Sequence, residues 1–171
     1  LGESALAEAS PGNNATAIGY RALQSATGGS STGIGYEALK SNTSPGQNVA
    51  VGFYALRDNT TGDKNTAVGF VALEDNTTGA DNSAFGTSAL RYNTTGANNV
   101  AFGNYALEDN TTGIRMVAVG YGALRNNTTA SSNVAVGYAS LSVNTTGADN
   151  NALGRGSLEN NTTGGDNNAF G

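Results

Sequence analysis

Hydrophobic residues in this chain come in two short clusters per repeat, and polar turn formers separate them at a fixed period. Val49-Ala50-Val51 and Ala55-Leu56 are one such pair, followed by Arg57-Asp58-Asn59-Thr60-Thr61-Gly62 before the next cluster at Thr66-Ala67-Val68. Written from its clearest copies, the unit reads N-x-A-V-G-[YF]-x-A-L-x-x-N-T-T-G-x-x. The glycines Gly2, Gly19, Gly35, Gly52, Gly69, Gly86, Gly103, Gly120, Gly137, Gly154 and Gly171 lie 17 residues apart, except for one gap of 16 between Gly19 and Gly35. Residues 1–171 are thus a single array of ten repeats, which is the signature of a solenoid whose units pack only on their neighbours.

The period selects the kind of solenoid. Helical repeats need about 33 residues or more for two helices and their turns. This unit is too short for that, and its apolar pieces are bounded by Asn, Thr, Gly and Asp, which build turns. The pattern predicts an all-β, parallel β-solenoid or β-roll of ten 17-residue coils, with two short strands per coil and no helix. Coils stacked at about 4.8 Å make a rod roughly 48 Å long.

Residues on either side of each glycine are two apart and share one face of a strand, while the glycine and the alanine two before it share the other. Ile18/Tyr20, Ile34/Tyr36, Val51/Phe53, Val68/Phe70, Val119/Tyr121 and Val136/Tyr138 place an aromatic after the glycine, whereas Phe85/Thr87 and Phe102/Asn104 place it before. Each of these coils carries one aromatic, which reads as volume compensation in a shared, close-packed space. Leu153/Arg155 departs from the rule. The Ala-Gly face forms a strip of small residues that allows another backbone to come close. The leucine four residues after each glycine, from Leu6 and Leu23 to Leu158, is constant and is expected to be buried within the coil or between chains. One Leu, one aromatic, one Val and a few Ala are thin apolar content for ordering 17 residues, so the chain is expected to associate, with the small-residue strip as the seam.

The turn N-T-T-G recurs at Asn59, Asn76, Asn93, Asn110, Asn144 and Asn161, with N-T-S-P at Asn42 and N-T-T-A at Asn127. Asn tolerates tight turns and stacked amides can form a ladder, so these asparagines are read as corners. Each is formally also a glycosylation acceptor. Ala130 in place of the turn glycine marks that glycine as helpful and not obligatory. One column just before the turn alternates in sign, Arg57, Glu74, Arg91, Glu108, Arg125, which favours correct register; the neighbours Lys40 and Arg57 break it. Glu74 and Glu108 read as a hydrolytic pair would stand two coils, roughly 10 Å, apart with Arg91 between them, which is poor acid/base geometry.

Composition narrows the function. The chain has no Cys and no His, so disulfides, zinc or haem ligation and His- or Cys-based catalytic dyads have no residues to use. No catalytic, metal or cofactor-binding residue is assigned, no cofactor is expected, and the ligand-binding residues are left unassigned. Net charge is -5 with 8 scattered basic residues, which argues against a nucleic-acid partner. No apolar run long enough to span a membrane is present. The array opens and closes at one phase, at Leu1-Gly2 and Phe170-Gly171, without atypical end units, and reads as a fragment of a longer fibrous protein.

Asn48-Val49-Ala50-Val51-Gly52, Asn65-Thr66-Ala67-Val68-Gly69 and Asn133-Val134-Ala135-Val136-Gly137 resemble the S-V-A-I-G motif of YadA-like heads in trimeric autotransporter adhesins, and the resemblance covers essentially the whole array. It implies a left-handed parallel β-roll, a homotrimer with a shared hydrophobic axis, and an extracellular cell-surface or outer-membrane-anchored fibre that binds host or environmental surfaces such as glycans or matrix proteins. Units in those heads are shorter than this one. Similar repeats with N-T-T-G turns occur in phage and virus tail-fibre shafts, and N-x-V-x-G at Asn48 and Asn133 resembles a plant ice-binding roll, although Thr60-Thr61 and its copies sit in a turn. The function expected is non-enzymatic: an adhesive or structural segment, with a virion shaft or an ice-binding solenoid as alternatives.

Overall fold

The computed structural model describes residues 2–6, 14–27, 29–44 and 46–171. Ten three-residue strands follow in order: β1 (Thr16–Ile18), β2 (Thr32–Ile34), β3 (Val49–Val51), β4 (Thr66–Val68), β5 (Ser83–Phe85), β6 (Val100–Phe102), β7 (Val117–Val119), β8 (Val134–Val136), β9 (Asn151–Leu153) and β10 (Asn168–Phe170). They form one parallel sheet in sequence order. Pairing is one coil to the next with equivalent residues aligned, as in Ala50↔Ala67 and Val51↔Val68. The 16-residue coil keeps this alignment, Ala17↔Gly33, so its missing residue is absorbed outside the strand. The molecule is a β-solenoid, and no helix occurs among the described residues.

Each coil has one strand, not the two expected. The second apolar piece cannot extend because its backbone alternates in hand: Tyr54 has φ 56° and Leu56 φ 51°, and the same two positions are left-handed at Val71 and Leu73, Ser88 and Leu90, and Tyr105 and Leu107. An L-residue in that region costs roughly 1–2 kcal/mol. The bends persist because their backbone groups bond to neighbouring coils. Tyr54 N–H donates to Tyr36 C=O of the coil before, and Leu56 N–H to Ala72 C=O of the coil after, at 3.0 and 3.1 Å. Asp58 N–H and Thr60 N–H continue the pattern to Glu74 C=O and Thr77 C=O. Backbone pairing therefore runs nearly all the way round the coil.

The interior holds Ala50, Ala55 and Leu56 with two asparagines, Asn48 and Asn59, all fully buried, and the same set recurs coil after coil. The small-residue strip thus faces inward. The close backbone approach it permits is made by the chain itself. Gly52 has φ 141°, and a Cβ on it would land on the carbonyl oxygen of Gly69 in the next coil. The expected seam between chains cannot lie there, because the alanines of that strip are fully covered. The bulky positions flanking the glycine point outward: Phe53, Phe70, Phe102, Tyr121 and Tyr138 are exposed. Within a single chain they touch one another along the rod, as Phe53 does Phe70 at 5.2 Å, but their outer surfaces stay uncovered.

Candidate functional site

The corners come first, because they decide which polar groups remain free. Asn59 Nδ2 donates to Asn42 Oδ1 of the previous coil at 2.9 Å and to Gly62 C=O of its own turn at 3.0 Å. Asn76, Asn93 and Asn110 repeat both bonds. From Asn59 to Asn144 both amide N–H groups of each buried asparagine in this ladder are satisfied, as burial demands. A second ladder runs beside it. Asn65 N–H donates to Asn48 Oδ1 at 2.9 Å, and Asn65 Nδ2 reaches Gly79 C=O at 2.8 Å. Serine substitutes at Ser31, whose hydroxyl donates to Gly46 C=O and accepts from Asn48 N–H. Met116 interrupts this ladder: its N–H donates to Asn99 Oδ1, but it offers no side-chain acceptor to the next coil.

Two readings of the turn change as a result. Asn42, Asn59, Asn76, Asn93, Asn110, Asn127 and Asn144 are fully buried with their amides committed, so they cannot serve as glycosylation acceptors in the folded chain. The turn glycine is needed for space and not for backbone freedom. Gly62 does not have positive φ, yet a Cβ on it would strike Gly79 C=O and Asn59 Oδ1. Where Ala130 replaces it the ladder lengthens: Asn144 Nδ2 to Asn127 Oδ1 is 3.2 Å, against 2.7 Å for Asn76 to Asn59.

The alternating charges do stack. Glu74, nearly buried, takes Arg57 Nη1 at 2.5 Å from one side and Arg91 Nε at 3.0 Å from the other, and Glu108 takes Arg125 Nε at 2.8 Å. Both glutamates of the hydrolytic reading are therefore spent on arginines. Lys40 turns to Glu37 at 3.2 Å, which resolves the apparent clash with Arg57. Arg57 also forks onto Asp58, at 2.9 and 2.6 Å, and that bond raises the guanidinium pKa above its usual range. Asp75 is pushed up, first by burial and then by the neighbouring Glu74 and Asp58 carboxylates. No cluster of acidic or other ligating side chains suited to a metal ion occurs among the described residues.

What remains is the outward face. Three columns lie side by side: the first strand residue, the last strand residue, and the residue after the glycine. From Thr16 to Tyr138 they carry no charge. Their rings stack along the rod. Tyr20, Tyr36, Phe53 and Phe70 form one run with centroids 5.1, 5.2 and 5.2 Å apart. Phe85 and Phe102 form a second, offset run at 5.4 Å, and Tyr121 and Tyr138 a third at 5.4 Å. Phe70 and Phe102 are 55% and 56% exposed, far more than such rings normally are in a covered surface. The tyrosines outside these columns do not gather into one patch. Tyr54, Tyr92 and Tyr105 each lie under an arginine, Arg57, Arg91 and Arg125, at 4.7, 4.8 and 5.0 Å. These pairs were not read from the sequence, although an arginine three residues after Tyr54 and one residue before Tyr92 is a visible signal.

The threonine turns present a single rank. Thr60, Thr77, Thr94 and Thr111 each spend their hydroxyl on the backbone of the next coil, at 2.9 to 3.1 Å. Thr61, Thr78, Thr95 and Thr112 beside them are exposed. No helix among the described residues is long and apolar enough to cross a membrane. Comparison with family models, with curated proteins and with solved structures finds no match to this chain.

Proposed function

We propose that this chain is a non-enzymatic rod segment of an extracellular fibre, in which three copies pack about their aromatic faces and display the remaining surface to a host or environmental ligand. One observation carries the reading: a charge-free face with exposed stacked aromatics runs through eight coils of the rod, from Thr16 to Tyr138. Seven steps of about 4.8 Å and three columns spanning roughly 14 Å give a footprint on the order of 470 Å² before side-chain relief, more than half of the ≈ 800 Å² per partner of a stable interface. Burying it between copies removes apolar surface from water at about 25 cal/mol per Å². The face matches a second copy of itself because every coil repeats the same columns at the same spacing.

The physical product of such an assembly is stiffness and repetition. The turn surface, with its exposed Thr61, Thr78 and Thr95, stays outside and offers identical groups every coil. A cell-surface adhesin head or stalk and a virion tail-fibre shaft would use this equally. The exposed threonine rank is the feature that favours an ice-binding reading; that reading ranks lower because the neighbouring hydroxyls are already bonded, which leaves one rank instead of a two-dimensional array.

Sedimentation equilibrium tests the proposal. Three chains of 17.1 kDa give 3 × 17.1, about 51 kDa, and that mass is the expected result. Phe53→Ser with Phe70→Ser should lower the mass toward one chain while the far-ultraviolet circular dichroism is unchanged. A stable 17.1 kDa species for the unsubstituted chain would overturn the reading.

A further inference from the structure

Identical coils create a problem for any assembly along the rod. A face that repeats at each coil can slide by one coil and lose only the contact at its end, so register between copies is weakly specified. One block of the face breaks the repetition. In β5 and β6 the aromatic moves from the column after the glycine to the column before it: Phe85 and Phe102 stand where neighbouring coils have Val68 and Val119, and Thr87 and Asn104 stand where they have Phe70 and Tyr121. The vacated positions are closed by a bond of their own, Thr87 N–H to Asn104 Oδ1 at 3.0 Å, so the backbone there is not left to seek a partner.

We propose that this Phe85–Phe102 block is the axial register key between copies of the chain. It rests on the assembly about the aromatic face proposed above. Around a cyclic axis, the column before the glycine in one copy meets the column after the glycine in the next, because each copy presents its left side to its neighbour's right. In register, every level then pairs one ring with one small side chain, whether the level is Val68 with Phe70 or Phe85 with Thr87. This accounts for one aromatic per coil in all eight coils from Ile18/Tyr20 to Val136/Tyr138, a rule that stacking of the rings along the single chain does not require, since a stack can pass over a coil with no ring or one with two. A slip of one coil sets Phe85 of one copy against Phe70 of the next, ring on ring, and Val68 against Thr87 on the other side, small on small. Overpacking and a void then arise together at each edge of the block, and both are unfavourable. The four-ring stack from Tyr20 to Phe70 has no such feature and could not resist sliding alone.

The test uses the chain with its block erased, F85V/T87F/F102V/N104Y, which makes these coils match their neighbours. All four positions lie on the outward face, so circular dichroism and the urea midpoint should stay near those of the unsubstituted chain. The chain has no cysteine, so introduced ones report alone. Chains carrying V68C are refolded with chains carrying F70C, which share a level, or with chains carrying F53C, one coil away. A disulfide needs Cα atoms within about 7 Å, so in the native background the 68–70 product should exceed the 68–53 product by about tenfold or more. Erasing the block should bring that ratio toward one at unchanged oligomer mass. A ratio that stays high in the erased chain would overturn the register key and leave the assembly standing. A native chain that sediments as a monomer overturns both.

Discussion

The inside of each coil and its outward aromatic face follow opposite rules. Inside, each column is close to one residue type: leucine, alanine, asparagine, asparagine, with the asparagines bonded from coil to coil except where Met116 offers Asn133 N–H no acceptor. Outside, neighbouring columns trade bulk, and stacked rings give way to Thr87 and Asn104 before they resume. The interior is closed, since buried columns bonded to one another ask nothing of other molecules. Variation is tolerated on the face because the single chain leaves its side chains only partly covered. A column under internal stacking constraints cannot vary, and a column whose partner is another molecule can carry information.

The sharpest way to break this contrast is at the glycine that faces the next coil. Gly69→Ala places a methyl on the Gly86 carbonyl at φ 145°, a conformation that costs an L-residue about 1–3 kcal/mol before the clash is counted. The expected loss exceeds that range and is read from the urea midpoint. Gly122→Ala is its control: nothing lies within 4 Å of a Cβ there, so the loss should stay near the roughly 1–2 kcal/mol of a left-handed residue.

Next in size is the corner. Asn93→Ala leaves Asn76 Oδ1 and one Asn110 Nδ2 hydrogen without a partner in a buried place, at about 1–3 kcal/mol for each, while Gly96 C=O keeps its bond from Asn82 Nδ2. Chemical denaturation should show a loss of at least about 2 kcal/mol, well above the ±0.5 kcal/mol typical of an outward-face change such as Phe70→Ser in an isolated chain.

Met116 offers the reverse experiment. Met116→Asn, made with Ala130→Gly to restore the surrounding turn, gives Asn133 N–H the acceptor its equivalents Asn82 and Asn150 already have. A gain of about 1 kcal/mol in the thermal or urea midpoint is expected. No gain would mean that packing of the methionine outweighs the missing bond.

The smallest effect is a pH dependence. Asp75 holds its proton to higher pH in the folded chain than unfolded, so the folded state binds more protons in that window and stability falls as pH rises through it. Asp75→Asn removes this decline. Its thermal midpoint should exceed that of the unsubstituted chain near neutral pH and equal it in acid, where both forms are uncharged at this position.

Much of the solenoid was legible because a constant period is a direct record of stacking: the glycine spacing, the parallel order, the aligned register and the corner asparagines all follow from it. The second strand was misread because Ala55-Leu56 looks extended by residue type, and only contacts between coils hold Leu56 in a left-handed bend. The direction of the strand faces was misread for a related reason. Bulk was expected inside, but a coil of 17 residues has room for one leucine and for small side chains, and the aromatics are displaced outward. The proposed seam between copies moves with them, from the alanine strip to the ring columns.

The sequence by itself determined the repeat, the parallel stacking and the charge order along Arg57, Glu74 and Arg91, since each depends only on which residues recur at which spacing. The tertiary structure decided which face is inside, because strand alternation sorts residues into two sets without saying which set the coil encloses. That choice is made by volume, and volume is a property of the closed coil.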